Sequence, residues 1–516
     1  MLQNLATSIH TVTREPIIRR FLALDVGEPC NELRRTESER ILRAQPFLAD
    51  ASITAFDDGA GGVHLRVRTT DEVSLIVGGG LRGTSPYVTG LKLGNANFGG
   101  EAVLGWVEWR HGPVQRDSYA ARVVDYQVLG RPYQLALEGA RRDLGSSWLV
   151  DARHPFFTDL QRVAWRVTTG SSDEFLPFLR PGADPASLRL ERRFVDVGGI
   201  VRLGAPGRLS LFGVSVTRED ERPGVIPVVI RDSAVVIDTS TALIGRYRTH
   251  ETARINALWG VRNLRYIRVS GFDALRGSQD VRLGFQLGTM FGRGLSVIGA
   301  LDDDIFVAGD LYVGAGNRAV FGGFYVAGEG RQDYATEAWD GILSTGRAAG
   351  YARLSDAHTA TLSAEWSGGW RQRVPFQLAL GETEGGVRGY GGSKLAGGKR
   401  LVLRAEDRWY LGRYRSLSDF GVAAYVDAGR LWANDAPFGV TTPAKVGVGV
   451  ALLGAAPPNS RRTWRLDIAY PLSPDPDAGW ELRATIRDFT RRFWREPRDV
   501  RRSRERAVPT SIFDWP

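Results

Sequence analysis

The chain has 516 residues, 43% of them hydrophobic, and a formal net charge of +9. This length excludes a single small domain, and this composition excludes a wholly disordered chain. No run of about 18 apolar residues is present, which excludes a predicted transmembrane helix, and the scattering of arginine along the chain disfavours nucleic-acid binding.

The N-terminal segment, 1–72, predicts one small α+β domain. In chain order, its predicted elements are a strand at 8–13, helices at 15–24 and 31–45, and strands at 50–56 and 63–68. Pro16 suits the first turn of a helix, and the glycine-rich segment 57–62 is typical of a hairpin turn. Positions 1–24 hold no continuous apolar segment followed by a small-residue cleavage site, so we predict that any export signal lies upstream of Met1.

From Val73 onward, short runs alternate apolar and polar residues with turn residues between them. One such run carries Val281, Leu283, Phe285 and Leu287 at every second position, which is the period of a strand with one apolar face. We predict that residues 73–490 form about sixteen antiparallel strands. The alternation alone leaves a soluble sandwich and a membrane β-barrel open, because both have one apolar and one polar face.

The C-terminal segment, 491–516, is rich in arginine. Such a run of like charge is typical of a solvated extension, so we predict a basic, disordered tail. Anionic lipid head groups could also attract it.

One stretch, Val387-Arg388-Gly389-Tyr390, lies in a long polar segment at 371–398 between two predicted strands. The guanidinium of arginine suits the binding of carboxylates. Glu406 and Asp427 lie on the two strands that follow, and the alternation places both on the polar face of their strands. Asp407 is predicted on the apolar face, so in a membrane barrel we expect it either near a rim or displaced by a β-bulge.

These residues resemble a known family. Val387 to Tyr390 match the (V/I)RG(F/Y) motif of the Omp85 superfamily of outer-membrane proteins, which includes BamA, TamA and the two-partner-secretion transporters. Residues 425–429 and 465–472 resemble two of its barrel strands, and residues 14–20, 37–43 and 47–51 resemble a POTRA domain. The resemblance implies a mainly β fold, a transmembrane antiparallel barrel after a single POTRA domain, with Arg388 docked on Glu406 and Asp427 in the lumen.

The resemblance also implies a function. An outer-membrane assembly or translocation factor of a Gram-negative-type bacterium would receive an unfolded outer-membrane or secreted client in the periplasm and insert it into, or move it across, the membrane. Strand addition needs an exposed sheet edge, and the predicted edge contains Ile53, Val63, Leu65 and Val67. The expected partners are clients, outer-membrane lipids and periplasmic or lipoprotein accessory proteins.

Other functions remain open at this stage: a two-partner-secretion exporter of one dedicated substrate, or a passive porin-like channel. An enzyme is not expected, because no G-x-S-x-G elbow is present and residues 392–400 miss the spacing of a P-loop. No cofactor or metal is expected, since the histidines lack ligand spacing and Cys30 is the only cysteine. The acidic run 302–304 is more typical of a solvated loop than of a cation site.

Overall fold

The computed structural model describes residues 11–81, 88–112, 116–334, 336–381, 385–488 and 496–504. The first folded unit contains two helices, α1 (Glu15–Arg19) and α2 (Glu32–Ala44), and a hairpin of β1 (Leu48–Asp57) and β2 (Val63–Asp71). Asn31 caps α2, because its side chain accepts a hydrogen bond from the Arg34 N–H at 2.8 Å. The strand predicted at 8–13 lies partly outside the described residues, and 11–13 are not in a strand.

The following strands form one large antiparallel sheet that closes on itself, with the last strand next to the first. In chain order these are β3 (Leu75–Leu81), β4 (Val88–Asn95), β5 (Val103–His111), β6 (Asp117–Asp125), β7 (Gln134–Arg142), β8 (Gly145–His154), β9 (Val163–Phe178), β10 (Ala186–Ala205), β11 (Arg208–Pro223), β12 (Val228–Arg231), β13 (Ala234–Ile237), β14 (His250–Ser270), β15 (Ser278–Gly294), β16 (Asp304–Gly316), β17 (Val320–Asp333), β18 (Trp339–Ser355), β19 (His358–Trp370), β22 (Lys399–Tyr414), β23 (Ser418–Trp432), β24 (Lys445–Ala455), β25 (Arg462–Pro471) and β26 (Glu481–Asp488). Two short strands between β19 and β22, β20 (Leu378–Ala379) and β21 (Ala396–Gly397), pair with each other.

The mainly β, antiparallel barrel is confirmed, but the expected number of strands is too low. Among the described residues the barrel sheet has 22 strands. Since β11 also pairs directly with β14, β12 and β13 form a side hairpin and the other 20 form the wall. The expectation fell short because β3 to β8 are shorter than most of the later strands and are joined by short connections.

The outer surface of the barrel is apolar and much of its inner surface is charged. On β22, Leu403 and Leu411 are exposed on the outside, while Arg400 and Arg404 are buried on the inside. A soluble sandwich would bury its apolar face instead, so this arrangement is that of a barrel surrounded by lipid. Among the described residues, no helix is both long and apolar enough to cross a bilayer.

Asp407 points outward from β22, as expected from the alternation. Its Oδ1 lies 2.5 Å from Nε2 of His358, the first residue of the neighbouring β19. The carboxylate therefore lies close to the end of the wall and has a polar partner there, which reduces the cost of its position beside lipid.

One part of the inner wall is apolar. Inward side chains of β9, β10, β11 and β14 to β16 pack together with Phe156 from the β8–β9 connection; they include Ile200, Leu211, Leu258 and Phe306. These residues are almost fully buried, so this side of the lumen is a packed core and not a water-filled channel.

The N-terminal unit packs against one end of the barrel, which we term the near end. Phe157, from the β8–β9 connection, is buried in the core of this unit, and its ring centroid lies 6.1 Å from that of Phe21. Arg43 pairs with Asp280 at 2.8 Å, and Arg461 donates to the Leu48 carbonyl at 2.9 Å. Apolar packing, an ion pair and a hydrogen bond to the backbone therefore hold the unit across the near end.

Glu72 lies at the junction between this unit and the barrel. Its carboxylate accepts hydrogen bonds from Ser460 Oγ at 2.6 Å and from the Arg461 backbone N–H at 3.1 Å. Burial raises the pKa of the Glu72 carboxyl above its ordinary value of 4.5, although the positive charge of Arg462 opposes this shift.

This shift predicts a pH dependence of stability. Because the folded-state pKa is raised, the stabilisation from Glu72 is fully present below its unfolded-state pKa and is lost as pH rises through the folded-state pKa. We expect the free energy of unfolding of the native chain, measured relative to Glu72→Gln, to increase as pH falls from neutral to about 4. Parallel pH profiles of the two proteins in denaturant titrations would contradict this expectation.

The arginine-rich C-terminal segment is not a wholly solvated extension. Residues 491–495 and 505–516 lie outside the described residues, but Arg498–Ser503 form a helix, α3, and Val500 is fully buried. The prediction of a disordered tail is therefore wrong for 496–504. Arg504 pairs with Glu329 of the barrel wall, a counter-charge that composition cannot reveal.

Candidate functional site

The connection between β19 and β22, residues 371–398, folds into the barrel; we term it the lumen loop. Val387 and Tyr390 are buried in an apolar cluster with Leu380 of the same loop and with Val402 and Leu431 of the wall. The Tyr390 hydroxyl lies 3.0 Å from the carbonyl oxygens of Val446 and Ser473 and 3.2 Å from the Ser473 N–H. The loop is thus fixed to the wall on both sides of Arg388.

The Arg388 side chain meets both acids that the sequence singled out. Its Nε and Nη2 each donate to one oxygen of Asp427 at 2.7 Å, and its Nη1 donates to Glu406 Oε2 at 3.1 Å. Arg388 is 7% exposed and Asp427 is 0% exposed. A planar guanidinium bound in this forked way to a buried carboxylate is held in one orientation.

Three further residues complete this ionic cluster, and they were not among the predicted site residues. The Arg388 guanidinium carbon lies 3.4 Å from the centroid of the Tyr425 ring. Asp467 Oδ1 is 3.7 Å from Arg388 Nη1, and Arg465 donates to Glu406 at 2.9 Å and to Asp467 at 2.7 Å. The same alternation could have found them, since Arg465 and Asp467 lie opposite the apolar face of β25.

Glycines make room for the loop against the wall. A Cβ added to Gly447 of β24 would overlap the carbonyl oxygen of Arg388, and one added to Gly429 of β23 would overlap the Val387 side chain. Gly389 has φ of +91°, a left-handed conformation that favours glycine. Its N–H donates to Glu481 Oε2 at 2.8 Å, which ties the loop to β26, the last strand of the wall.

Substitution of Gly447 by alanine is expected to push the loop off the wall. Overpacking of this kind costs about 1–3 kcal/mol, and here it acts against a backbone oxygen. Limited proteolysis should cut the lumen loop of Gly447→Ala faster than that of the unaltered protein. Gly350→Ala is the matched control, because an added Cβ at this strand glycine meets nothing within 4 Å. Equal protection in both variants would show that Gly447 does not seat the loop.

The acidic run 302–304 is engaged by basic side chains. Asp302 Oδ2 lies 3.0 Å from Nδ1 of His250, and Arg373 of the lumen loop donates to Asp304 at 3.1 Å. Asp303 pairs with Arg293 at 2.7 Å. The run therefore anchors the start of the lumen loop. Within the described residues, no group of three or more possible metal ligands is found.

The predicted client edge divides into two parts. On β1, the Ile53 N–H donates to Glu39 at 2.8 Å and its carbonyl accepts from Arg35 at 2.6 Å, so side chains of α2 cover this edge. Ile53 is 2% exposed and packs in the domain core. It was wrong to place Ile53 on an open edge, because a pattern of alternation does not show which strand a helix covers.

The other part of the predicted edge lies on β2. Within the described residues, β2 pairs only with β1. Ile53 is opposite Val67, and Ala55 is opposite Leu65. Opposite residues of an antiparallel pair either exchange both backbone hydrogen bonds or neither. Since Ile53 directs its groups to α2, the backbone groups of Val63, Leu65 and Val67 point away from β1, along the uncovered edge.

Neither a protein-family model nor a curated protein matches the sequence. Solved structures are similar to it. BamA from Haemophilus ducreyi lacking POTRA domains 1–3 is 12% identical with a TM-score of 0.34, over 92% of this chain and 81% of that one. CdiB from Escherichia coli is 13% identical with a TM-score of 0.41, over 92% and 89%. CdiB from Acinetobacter baumannii is 11% identical with a TM-score of 0.42, over 92% and 72%.

Proposed function

We propose that this chain is an Omp85-type outer-membrane barrel that receives an unfolded client at its N-terminal domain and inserts it into, or moves it across, the outer membrane. The observation that carries the proposal is the seating of Arg388, on a loop inside a barrel with an apolar outer face, against Asp427 and Glu406. That arrangement is the one the sequence resemblance implies. The proposal assigns no catalytic residue, cofactor or metal.

The N-terminal domain supplies the receiving surface in this proposal. It is of POTRA type and lies in the periplasm, with the β2 edge at Val63, Leu65 and Val67 free to add a client strand. Backbone hydrogen bonds provide most of the affinity in strand addition, so clients of different sequence can bind. The domain packs on the near end of the barrel, which brings a bound client close to the wall.

The wall supplies the route into lipid. The seam between β26 and β3 joins the last strand to the first, and Gly78, Gly79 and Gly80 weaken the packing of β3 because glycine has no side chain. The Gly389–Glu481 hydrogen bond links the lumen loop to β26. Movement of the loop therefore alters the support of the seam strand.

A passive porin is less well supported. The lumen holds the 371–398 loop, the buried ionic cluster around Arg388 and the apolar cluster on the β9–β16 side. These elements occupy space in the lumen that a porin leaves open as an aqueous channel.

Site-specific photo-crosslinking in cells tests the proposal. A crosslinker at Arg66, exposed on β2, should capture unfolded outer-membrane or secreted proteins, and one at Thr36, exposed on α2, should not. Leu65→Pro removes an outward N–H and should reduce the capture at Arg66. Equal capture at Arg66 and Thr36 would refute strand addition. The final location of the captured client, in the membrane or outside the cell, separates an insertion factor from a two-partner-secretion exporter.

A further inference from the structure

The chain returns into the lumen after its last barrel strand. In α3, Asp499 forms a two-pronged ion pair with Arg400 of β22, with distances of 2.6 and 3.1 Å. Both side chains are almost fully buried. A buried pair with two well-formed hydrogen bonds fixes the position of the segment, since either charge alone would be costly there.

An apolar contact lies next to this pair. Val500 is fully buried in a cluster with Leu343 of β18 and with Phe376 and Leu378 of the lumen loop. The cluster joins three separate parts of the chain. Removal of Val500 would leave a gap between the wall and the lumen loop.

The end of the segment is held from other strands. Arg504 pairs with Glu329 of β17 at 2.6 Å, and Arg192 of β10 donates to the Arg502 carbonyl at 2.7 Å. Strands β10, β17 and β22 lie at well-separated positions in the sheet order. Residues 496–504 therefore bridge the lumen, in the half away from the N-terminal domain.

The segment and the lumen loop also hold each other. Arg400 donates to the Ala379 carbonyl at 2.6 Å as well as to Asp499, and the Ala379 N–H lies 3.3 Å from the same carboxylate. A Cβ added to Gly385 would lie 2.8 Å from the Cβ of Pro497. Displacement of the segment would therefore free one side of the loop that carries Arg388.

We propose that the lumen contains a peptide-binding site, that residues 496–504 are its resident occupant, and that this occupant closes the barrel to ions. The site selects a carboxylate for Arg400, an adjacent small apolar side chain for the Leu343 cluster, and an arginine for Glu329. A chain passing through the lumen has to displace this occupant. Ion conductance can be measured without any client, so this test does not depend on the client role proposed above.

The first experiment compares two truncations in planar bilayers. A chain ending at residue 495 lacks the occupant. Its open-channel probability should rise at least about tenfold, because the buried ion pair and the buried Val500 side chain that stabilise the closed state are both lost. A chain ending at residue 504 keeps every contact described here and should conduct like the full-length protein. Equal conductance of all three proteins, each heat-modifiable on gels, would overturn the proposal.

Peptide addition tests the site itself. A synthetic peptide of residues 496–504 should close the channel of the chain ending at 495. The same peptide carrying Asp499→Asn should need an at least about tenfold higher concentration, since Arg400 then loses its ionic partner. Failure of the unaltered peptide to close the channel, or equal potency of the two peptides, would overturn the proposal.

A crosslinking measurement decides the matter if the truncated chain does not fold. In full-length protein with Cys30→Ser, the pair Gly385→Cys and Pro497→Cys should form a disulfide under mild oxidation in intact outer membranes, because their Cβ atoms would lie in contact, and the joined protein should stay closed. The control pair combines Pro497→Cys with Gly479→Cys, because an added Cβ at Gly479 meets nothing within 4 Å. Equal crosslinking of both pairs, or of neither, would place 496–504 outside the lumen.

Discussion

Replacement of Arg388 by alanine is expected to destabilise the barrel by about 3–5 kcal/mol, the usual cost of removing one partner of a buried ion pair. Asp427 is fully buried, and its other basic neighbour, Arg404, is 3.9 Å away. Glu406 is less affected, because Arg465 still donates to it at 2.9 Å. Unfolding in urea, followed by tryptophan fluorescence, measures the loss. Faster proteolysis of the lumen loop should accompany it.

A double variant and a loop control sharpen this prediction. Arg388→Ala with Asp427→Ala should recover part of the loss, because no buried charge is then left without its partner. Lys394→Ala alters a cation of the same loop whose pair with Asp477, at 3.9 Å, is partly exposed, so its effect should stay within about 0–1 kcal/mol. If Arg388→Ala were no more destabilising than Lys394→Ala, the ionic cluster would not be what holds the loop.

The main features of this site could be read from the sequence because strand geometry is periodic. Successive side chains of a strand point to opposite faces, so the sides of Glu406 and Asp427 follow from their positions alone. The short polar motif around Arg388 then identifies the loop that meets them. Tyr425 and Asp467 obey the same rule, but alternation gives only the face of a side chain and does not show which inward side chains lie within reach of Arg388.

Features that depend on distant partners could not be read in this way. The helical segment at 496–504 looked like solvated arginine because Glu329, its ionic partner, lies on β17, far earlier in the chain. Ile53 looked like an edge residue because α2 covers β1 through side-chain hydrogen bonds that have no periodic signature. The strand count exceeded the expected figure because strands such as β3 and β4 are short.

Replacement of Phe157 by alanine is expected to release the N-terminal domain from the barrel. The ring is 5% exposed and packs in the core of that domain, and a phenylalanine truncated in such a place costs about 3–5 kcal/mol. The backbone carbonyl of Phe157, which accepts a hydrogen bond from Arg40, remains in the variant. The substitution therefore tests the apolar part of the interface while leaving this polar contact available.

Limited proteolysis should then cleave the chain faster between β2 and β3. The barrel should still be heat-modifiable on gels, which shows that it remains folded. Phe98→Ala is the matched control, because Phe98 lies in the β4–β5 connection at the same end of the barrel but is 49% exposed. Its effect should stay within about 0.5 kcal/mol, as for most surface substitutions. The Arg43–Asp280 pair also holds the domain. The double variant Phe157→Ala with Asp280→Ala should therefore be cleaved faster than either single variant. If Phe157→Ala were cleaved no faster than Phe98→Ala, the ionic contacts alone would hold the domain on the barrel.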